Sequence, residues 1–389
     1  MTPKSDLNFA VFGHRRGQMA LHVHRPEEGL RIVGVCSLHL DGLEDFRKKC
    51  GPDLVLTTDY RELLADPKID AVFVSTPDFC HAEHAIAALE AGKHVFLEKP
   101  MGITIAECDA ILAAAERSPA KLYVGHNMRF FPVMEKMREL ITTGRIGRVE
   151  AIWCRHFISY GGDAYFKDWH SERKYGNSLL LQKGAHDIDI IHYLAGAHTR
   201  RVVGMGKLSV YNEVIDRREE GEETSVQFDR NNWPPLSQKK MSPTIDVEDH
   251  SMLLMQLDNG VQASYQQCHY TPDDTRNYTI IGTEGRIENH GDHSSDDKLA
   301  TVHLWNKRMG YQEQGNEVFR IPSLDGSHGG SDPRLLDDFV SFLRGEPSSG
   351  ATPLDARMAV ATGCLGAESL RDGSTPREVP AYSASAENS

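Results

Sequence analysis

Between Phe9 and Gly125 five short apolar runs alternate with amphipathic stretches. They are Phe9-Ala10-Val11-Phe12, Ile32-Val33-Gly34-Val35-Cys36, Ala71-Val72-Phe73-Val74, Val95-Phe96-Leu97 and Leu122-Tyr123-Val124. Rich in β-branched residues and without polar alternation, they predict strands covered by helices on both faces of a parallel sheet. Helix starts lie between them: Asp41 with Glu44, and Asp59 with Glu62, each an Asp able to cap the first amides with an acid in the first turn. Ala82 to Glu90 is alanine-rich and stops at Gly92. An α/β domain over residues 1–126 is expected.

After His126 the pattern changes. A helix is expected from Val133 to Thr143, a strand from Val149 to Phe157, and a helix from Gln182 to Leu194 closed by Gly196. Ser251–Leu257 and Val261–Tyr270 flank Asp258-Asn259-Gly260, and an Asn-Gly step between two such runs predicts an antiparallel hairpin. Residues 127–389 thus read as a second, α+β domain. Within it, residues 211–248 are charged and contain Trp233-Pro234-Pro235, which suggests an ordered excursion or lid. Asp332–Leu343 and Ala356–Leu370 read as helices, and the last dozen residues as a frayed tail.

A chain of 389 residues exceeds the usual single-domain size. Its net charge of −13 argues against nucleic acid or an anionic membrane as a steady partner. A small polar substrate fits better. The apolar stretch Phe9–Phe12 is too short for a signal or membrane segment. Seven scattered cysteines without a CxxC pair read as inert thiols of a reducing compartment, so a cytoplasmic location is expected. No metal site is predicted: Asp246, Glu248, Asp249 and His250 are adjacent, and in a strand they would face opposite sides.

The first run leads into Gly13-His14-Arg15-Arg16-Gly17-Gln18. A dinucleotide-binding turn uses one glycine for the tight turn, a second for backbone approach to the pyrophosphate, and a third for close packing of helix on strand. Arg15 and Gln18 fall at the second and third places, unless a one-residue shift lets Gly17 serve. Two expectations stay open. Either Gly13, with Arg15 or Arg16 as countercharge, still holds a diphosphate, or the turn is only a turn. The second run ends at Cys36-Ser37-Leu38-His39, where a carboxylate would accept the ribose hydroxyls of NAD. Ser37 is uncharged, and His39 or Arg47 can approach a 2′-phosphate, so the cofactor is NAD or NADP.

The fourth run ends in Glu98-Lys99-Pro100. This places a carboxylate, an ammonium and a rigid turn at the carboxyl end of a predicted parallel strand, where open α/β sheets keep their ligands. Thr76-Pro77 follows an earlier strand and is expected to line the nicotinamide ribose or ring. Asn127 and Arg129, after the last run, are expected either to border substrate or cofactor or, for Arg129, to anchor the domain junction.

Val74-Ser75-Thr76-Pro77, His81-Ala82-Glu83-His84, Ala91 to Pro100, Gly125 to Phe130, Lys183-Gly184-Ala185-His186-Asp187-Ile188-Asp189 and Ile281 to Gly285, in that order, resemble the Gfo/Idh/MocA family, the glucose-fructose oxidoreductase and inositol dehydrogenase-like proteins. The resemblance implies an N-terminal Rossmann domain, with Gly13, Arg15, Arg16, Ser37, Thr76, Pro77, His81, Glu98, Lys99 and Asn127 on the cofactor side. It implies a C-terminal α+β domain with a large, mostly antiparallel sheet that joins copies into a homodimer or homotetramer. The implied activity is oxidation or reduction of a hydroxyl or carbonyl on a sugar, glycoside or cyclitol. Lys99 matches the family's active-site lysine and His186 its active-site histidine. Gln182 stands where an aspartate is usual, and Lys183 matches a Lys-x-x-His variant of some sugar-acting relatives.

Hydride transfer from an alcohol needs a group to take the hydroxyl proton, and the reverse needs a donor to the forming alkoxide. His186 suits acid/base work and Lys99 electrostatic stabilisation of oxygen, roles that are exchangeable, with Lys183 assisting. A helix over 182–194 would put Gln182 and His186 on one face and Asp189 behind the imidazole. Trp169 and Arg173 suit stacking on a sugar and bonding its hydroxyls. His328-Gly329-Gly330-Ser331-Asp332 either starts a helix capped by Asp332 or brings His328 to substrate. Two other functions fit the same residues: glycoside cleavage through transient sugar oxidation and elimination, and noncatalytic ligand sensing.

Overall fold

The computed structural model describes residues 6–222, 228–294 and 298–383. Residues 223–227 of the expected lid and 384–389 of the expected tail lie outside these. Six strands form the first sheet: β1 (Leu7–Phe12), β2 (Leu30–Cys36), β3 (Val55–Thr57), β4 (Ala71–Val74), β5 (His94–Leu97) and β6 (Leu122–Val124). Their order is β3-β2-β1-β4-β5-β6, with every pairing parallel. This is the doubly wound Rossmann order, reversing direction between β1 and β4. β3 escapes the apolar-run criterion because it is an edge strand with only Thr57 buried. Asp59 caps the helix Tyr60–Ala65 by accepting from the Arg61 amide. Asp41 does not cap: the helix Glu44–Cys50 starts after Leu43 with no side-chain cap, and Glu44 and Asp45 meet its positive end instead.

The sequence places a division after residue 126, close to the end of the first unit's leading segment at residue 130. Two compact units are present, one holding residues up to 130 together with 325–357, the other 131–324 with 358–381. The return of 325–357 to the first unit has a packing cause. Helix Ser331–Leu343 lays Leu335, Leu336, Phe339 and Val340 into the core of the parallel sheet. The Phe339 ring stands 5.5 Å from Phe73, 5.3 Å from Phe96 and 5.4 Å from Tyr123.

The second unit carries a nine-stranded sheet: β7 (Val149–Phe157), β8 (Thr199–Lys207), β9 (His250–Leu257), β10 (Gln262–Cys268), β11 (Thr275–Gly282), β12 (Arg286–His290), β13 (Thr301–Trp305), β14 (Glu317–Arg320) and β15 (Arg377–Glu378). The order is β14-β13-β12-β11-β7-β10-β9-β8-β15, and β7 with β10 is parallel while the other pairs are antiparallel. The Asn259-Gly260 hairpin joins β9 to β10, with Gly260 at φ 93°. Along β7 and β9 buried and exposed residues alternate, so one face is core. On the opposite face Trp153, Ser264, Leu254 and Val203 stand side by side across four strands. Leu254 is 62% exposed and Trp153 51%, an apolar row in water.

Among the described residues of 211–248 there are two short 3-10 turns, Tyr211–Glu213 and Pro235–Ser237. Their order comes from packing: Tyr211, Val214, Met241 and Val247 share a core with Ile158, Tyr165 and Phe166. All seven cysteines are free. Among the described residues no helix is long and apolar enough to cross a membrane.

Candidate active site

In the first unit the glycine turn follows β1 directly, and Gly13 sits at φ 85°. A Cβ there would lie 2.5 Å from the Ser75 carbonyl oxygen, so glycine is required on two counts. Gly17 does serve as the close-packing glycine: its Cβ would meet Val11 Cγ1 at 2.5 Å. Arg15 and Arg16 are exposed on the single turn His14–Gly17. Arg16 Nε approaches Glu98 Oε1 at 3.3 Å, which ties the glycine turn to the carboxyl end of β5.

Glu98 is 4% exposed and also accepts from the Lys99 amide at 3.1 Å. Its carboxylate is therefore shared between a structural amide and Arg16. Ser37 at the end of β2 shares a 2.7 Å hydrogen bond with His14 Nδ1. Burial, then Arg15 and His39, lower the pKa of His14. Thr76 Oγ1 meets His84 Nδ1 at 3.0 Å, and burial pushes His84 down to about 4, so it is neutral.

Two of the expected cofactor residues have partners within the protein. His81 is 1% exposed, with Nδ1 2.7 Å from the Pro100 carbonyl oxygen and Nε2 2.9 Å from that of Thr76. Both ring nitrogens are engaged by backbone, which leaves none for a dinucleotide. Asn127 Nδ2 donates to Asp332 Oδ1 at 2.8 Å. Ser327 Oγ and His328 Nδ1 both reach Asp332 Oδ2 at 2.7 Å. Burial would raise the Asp332 carboxyl, but the bonds from His328, Asn127 and Ser327 hold it well below the ordinary range. Gly330, not Asp332, occupies the N-cap position of the helix that follows; Asp332 instead gathers His328 and Asn127 around itself. Arg129 pairs with Asp355 at 3.3 Å and is a structural anchor.

In the second unit the helix expected over 182–194 is broken. Leu179–Gln182 is one short turn, Lys183 is the N-cap residue of Gly184–Ala195, and Gly196 closes that helix in the left-handed conformation. Gln182 and His186 are both buried, and they stand on different helical segments. Lys183 Nζ donates to Tyr160 Oη at 3.3 Å and lies 5.8 Å from the Tyr160 and Tyr165 ring centres. Burial raises the Tyr160 phenol, and Lys183 opposes this. Trp169 stacks on His170 at 3.7 Å, with His170 fastened to Asp168 at 2.6 Å. Arg173 Nη2 pairs with Glu248 at 3.0 Å, a carboxylate that Arg371 also holds.

Beside His186 in sequence, Asp187 is the centre of a buried network. Asp187 is fully buried in the first turn of its helix, accepts from Tyr278 Oη, lies 2.9 Å from His156 Nδ1, and pairs with Arg276 Nε at 3.1 Å. Arg276 also reaches Asp292 at 3.4 Å. Burial alone would raise the Asp187 carboxyl, but Arg276, His156 and Tyr278 keep it far below the usual range. His156, pushed down to about 4 by burial and then by Arg276, is neutral, and its Nδ1 lies between the Asp187 carboxylate at 2.9 Å and Arg276 Nη2 at 3.1 Å. Asp187 adjoins His186 in sequence, yet its partners lie on β7 and β11, so no local pattern announces it.

Two family models match the chain in succession. Residues 7–126 match the model described as "Oxidoreductase family, NAD-binding Rossmann fold", and residues 138–379 the model described as "Oxidoreductase family, C-terminal alpha/beta domain". YteT of Bacillus subtilis is 26% identical over 74% of this chain and 75% of its own length. A levoglucosan dehydrogenase of Pseudarthrobacter phenanthrenivorans is 26% identical over 74% of each chain. The crystal structure of an oxidoreductase domain protein from Kribbella flavida superposes with a TM-score of 0.78 at 21% identity, covering 97% of this chain and 100% of its own. Matches to five further curated proteins span 42% to 53% of their lengths.

Proposed function

We propose, from the premise that the chain belongs to the Gfo/Idh/MocA oxidoreductase family, that it oxidises a hydroxyl, or reduces the matching carbonyl, of a small sugar, glycoside or cyclitol with NAD or NADP. The observation that carries this reading is the Arg16–Glu98 pair. It links the glycine turn after β1 to the strand end that presents Lys99, on the edge where doubly wound sheets hold ligands. Gly13 and Gly17, with Arg15 as countercharge, fit a dinucleotide diphosphate. Ser37, bearing no carboxylate, admits either cofactor. The dinucleotide, when bound, supplies the hydride acceptor or donor.

The chain's own residues supply the proton chemistry. His186 exchanges the hydroxyl proton, Lys99 stabilises negative charge on the oxygen, and Lys183 adds a second positive charge with Tyr160 as its hydrogen-bond partner. Trp169 and its stacked His170 offer a flat wall for a sugar ring. Sugars as substrates are supported by the levoglucosan dehydrogenase relative.

The test is to incubate the purified protein with NAD, NADP and a panel of sugars, cyclitols and glycosides, following reduced nicotinamide and released aglycone. Net reduction of the cofactor is expected. Aglycone release without net reduction would replace the reading with glycoside cleavage, and dinucleotide binding without turnover would replace it with ligand sensing.

The apolar row on the open sheet face supports a further part of the proposal, that a second copy covers it in a dimer or tetramer. Leu254→Glu should then shift the sedimentation of the protein to that of a monomer. A wild-type protein already sedimenting as a monomer would end that part of the reading.

A further inference from the structure

The sequence places His81 among the cofactor contacts, and the structure gives it another task. It opens the helix His81–Glu90 and is buried between two turns that border the proposed dinucleotide site. One is the Thr76-Pro77 turn after β4, and the other the Lys99-Pro100 turn after β5. Nε2 meets the backbone carbonyl of Thr76 at 2.9 Å, and Nδ1 that of Pro100 at 2.7 Å. A carbonyl oxygen can only accept. Each of these bonds therefore needs a hydrogen on the ring nitrogen, and a neutral imidazole carries only one.

We propose that His81 is a positioning residue which carries a hydrogen on both ring nitrogens and so clips the Thr76 turn to the Lys99-Pro100 turn, fixing the backbone on which Lys99 is mounted. The two turns follow neighbouring strands, β4 and β5. His84, one turn further along the same helix, holds the Thr76 hydroxyl. It is pushed down by burial and, among its neighbouring charges, by His81. The titratable and charged groups on the elements His81 joins are Glu83 and His84 on its own helix, Asp78 and Cys80 in the turn before it, and Glu98 and Lys99 beside Pro100.

If the clip shapes the dinucleotide site, affinity should depend on pH. With the ring doubly protonated both turns are held. Loss of a proton leaves one carbonyl facing a nitrogen lone pair, so affinity should weaken as pH rises.

This consequence rests on the reading that the Gly13 turn takes a nicotinamide dinucleotide, and the test separates the two. The nitrogen resonances of histidine-labelled wild-type protein at neutral pH should show both His81 nitrogens protonated, the signals being assigned by their loss in His81→Gln or His81→Asn. NADH and NADPH titrations from about pH 6 to about pH 9 should show affinity falling about tenfold in the wild type, the scale of one charge-assisted hydrogen bond, with the fall absent in His81→Gln. A single protonated nitrogen in the wild type overturns the clip, whatever the variants do. Two protonated nitrogens with a flat wild-type affinity, or with the same fall in His81→Gln, overturn its role in positioning the site. Failure of both dinucleotides to bind at any pH would refute the oxidoreductase reading, while the resonances alone would still decide the clip.

Discussion

Lys99→Ala and His186→Ala are each expected to lower kcat by about a hundred- to ten-thousand-fold, the range for a lost electrostatic contact or a lost proton carrier. Dinucleotide affinity and the unfolding transition should change little, because the reason for the loss is transition-state stabilisation and not packing. Lys99 sits in a turn after β5 whose backbone is held by Glu98, so removal of its amine leaves that turn intact. His186 is buried in the first turn of its helix, and the neighbouring Asp187 network holds that turn in place. Steady-state kinetics on whichever substrate the panel identifies will read the effect. If either variant turns over at the wild-type rate, that residue loses its assigned role. A double variant no slower than the worse single one would place both groups on one chemical step.

Asp187→Ala should destabilise the second unit by about 3–5 kcal/mol, because it leaves the buried Arg276 without its main countercharge. Asp187→Asn should lose less, since the amide keeps a hydrogen-bond acceptor for Tyr278. The carboxyl of Asp187 is held far below its unfolded value. Its stabilising contribution is therefore complete above the unfolded pKa of about 3.9 and is lost progressively as pH falls below that value. Asp292, lowered to about 2 by the His293 bond and by Arg276 against the raising effect of burial, acts in the same direction. Denaturant unfolding followed from neutral to acid pH should thus show a steep acid loss in the wild type and a shallower one in Asp187→Asn. Equal slopes in the two proteins would mean that the network contributes no net stability.

The parallel sheet was legible because buried parallel strands need continuous apolar runs, and five of its six strands have them. β3 was not legible, because an edge strand with one buried residue has no such run. The Asn259-Gly260 hairpin was legible because a tight turn demands residues that tolerate positive φ. The helix over 182–194 was placed correctly in outline, but the interruption at Lys183 was not, although Gly184 directly after it is a poor helix former. Lys99 and His186 stood out through their surroundings in the chain. His81 was found by the same signal, but its two backbone partners were not, since a motif marks a residue without saying which atoms it meets.

By itself the sequence determined five of the six parallel strands, the Asn259-Gly260 hairpin, that the first glycine turn follows β1, and which lysine and histidine to suspect, for these depend on the order of neighbours along the chain. Only the tertiary structure decided that helix Ser331–Leu343 belongs to the first unit, that Gly17 packs against Val11, that Arg173 is held by Glu248, and that Asp187 is the buried carboxylate. Each of those facts is a contact between side chains distant in sequence. Burial and charge pairing there depend on how the sheets and helices pack in three dimensions, which local periodicity does not encode.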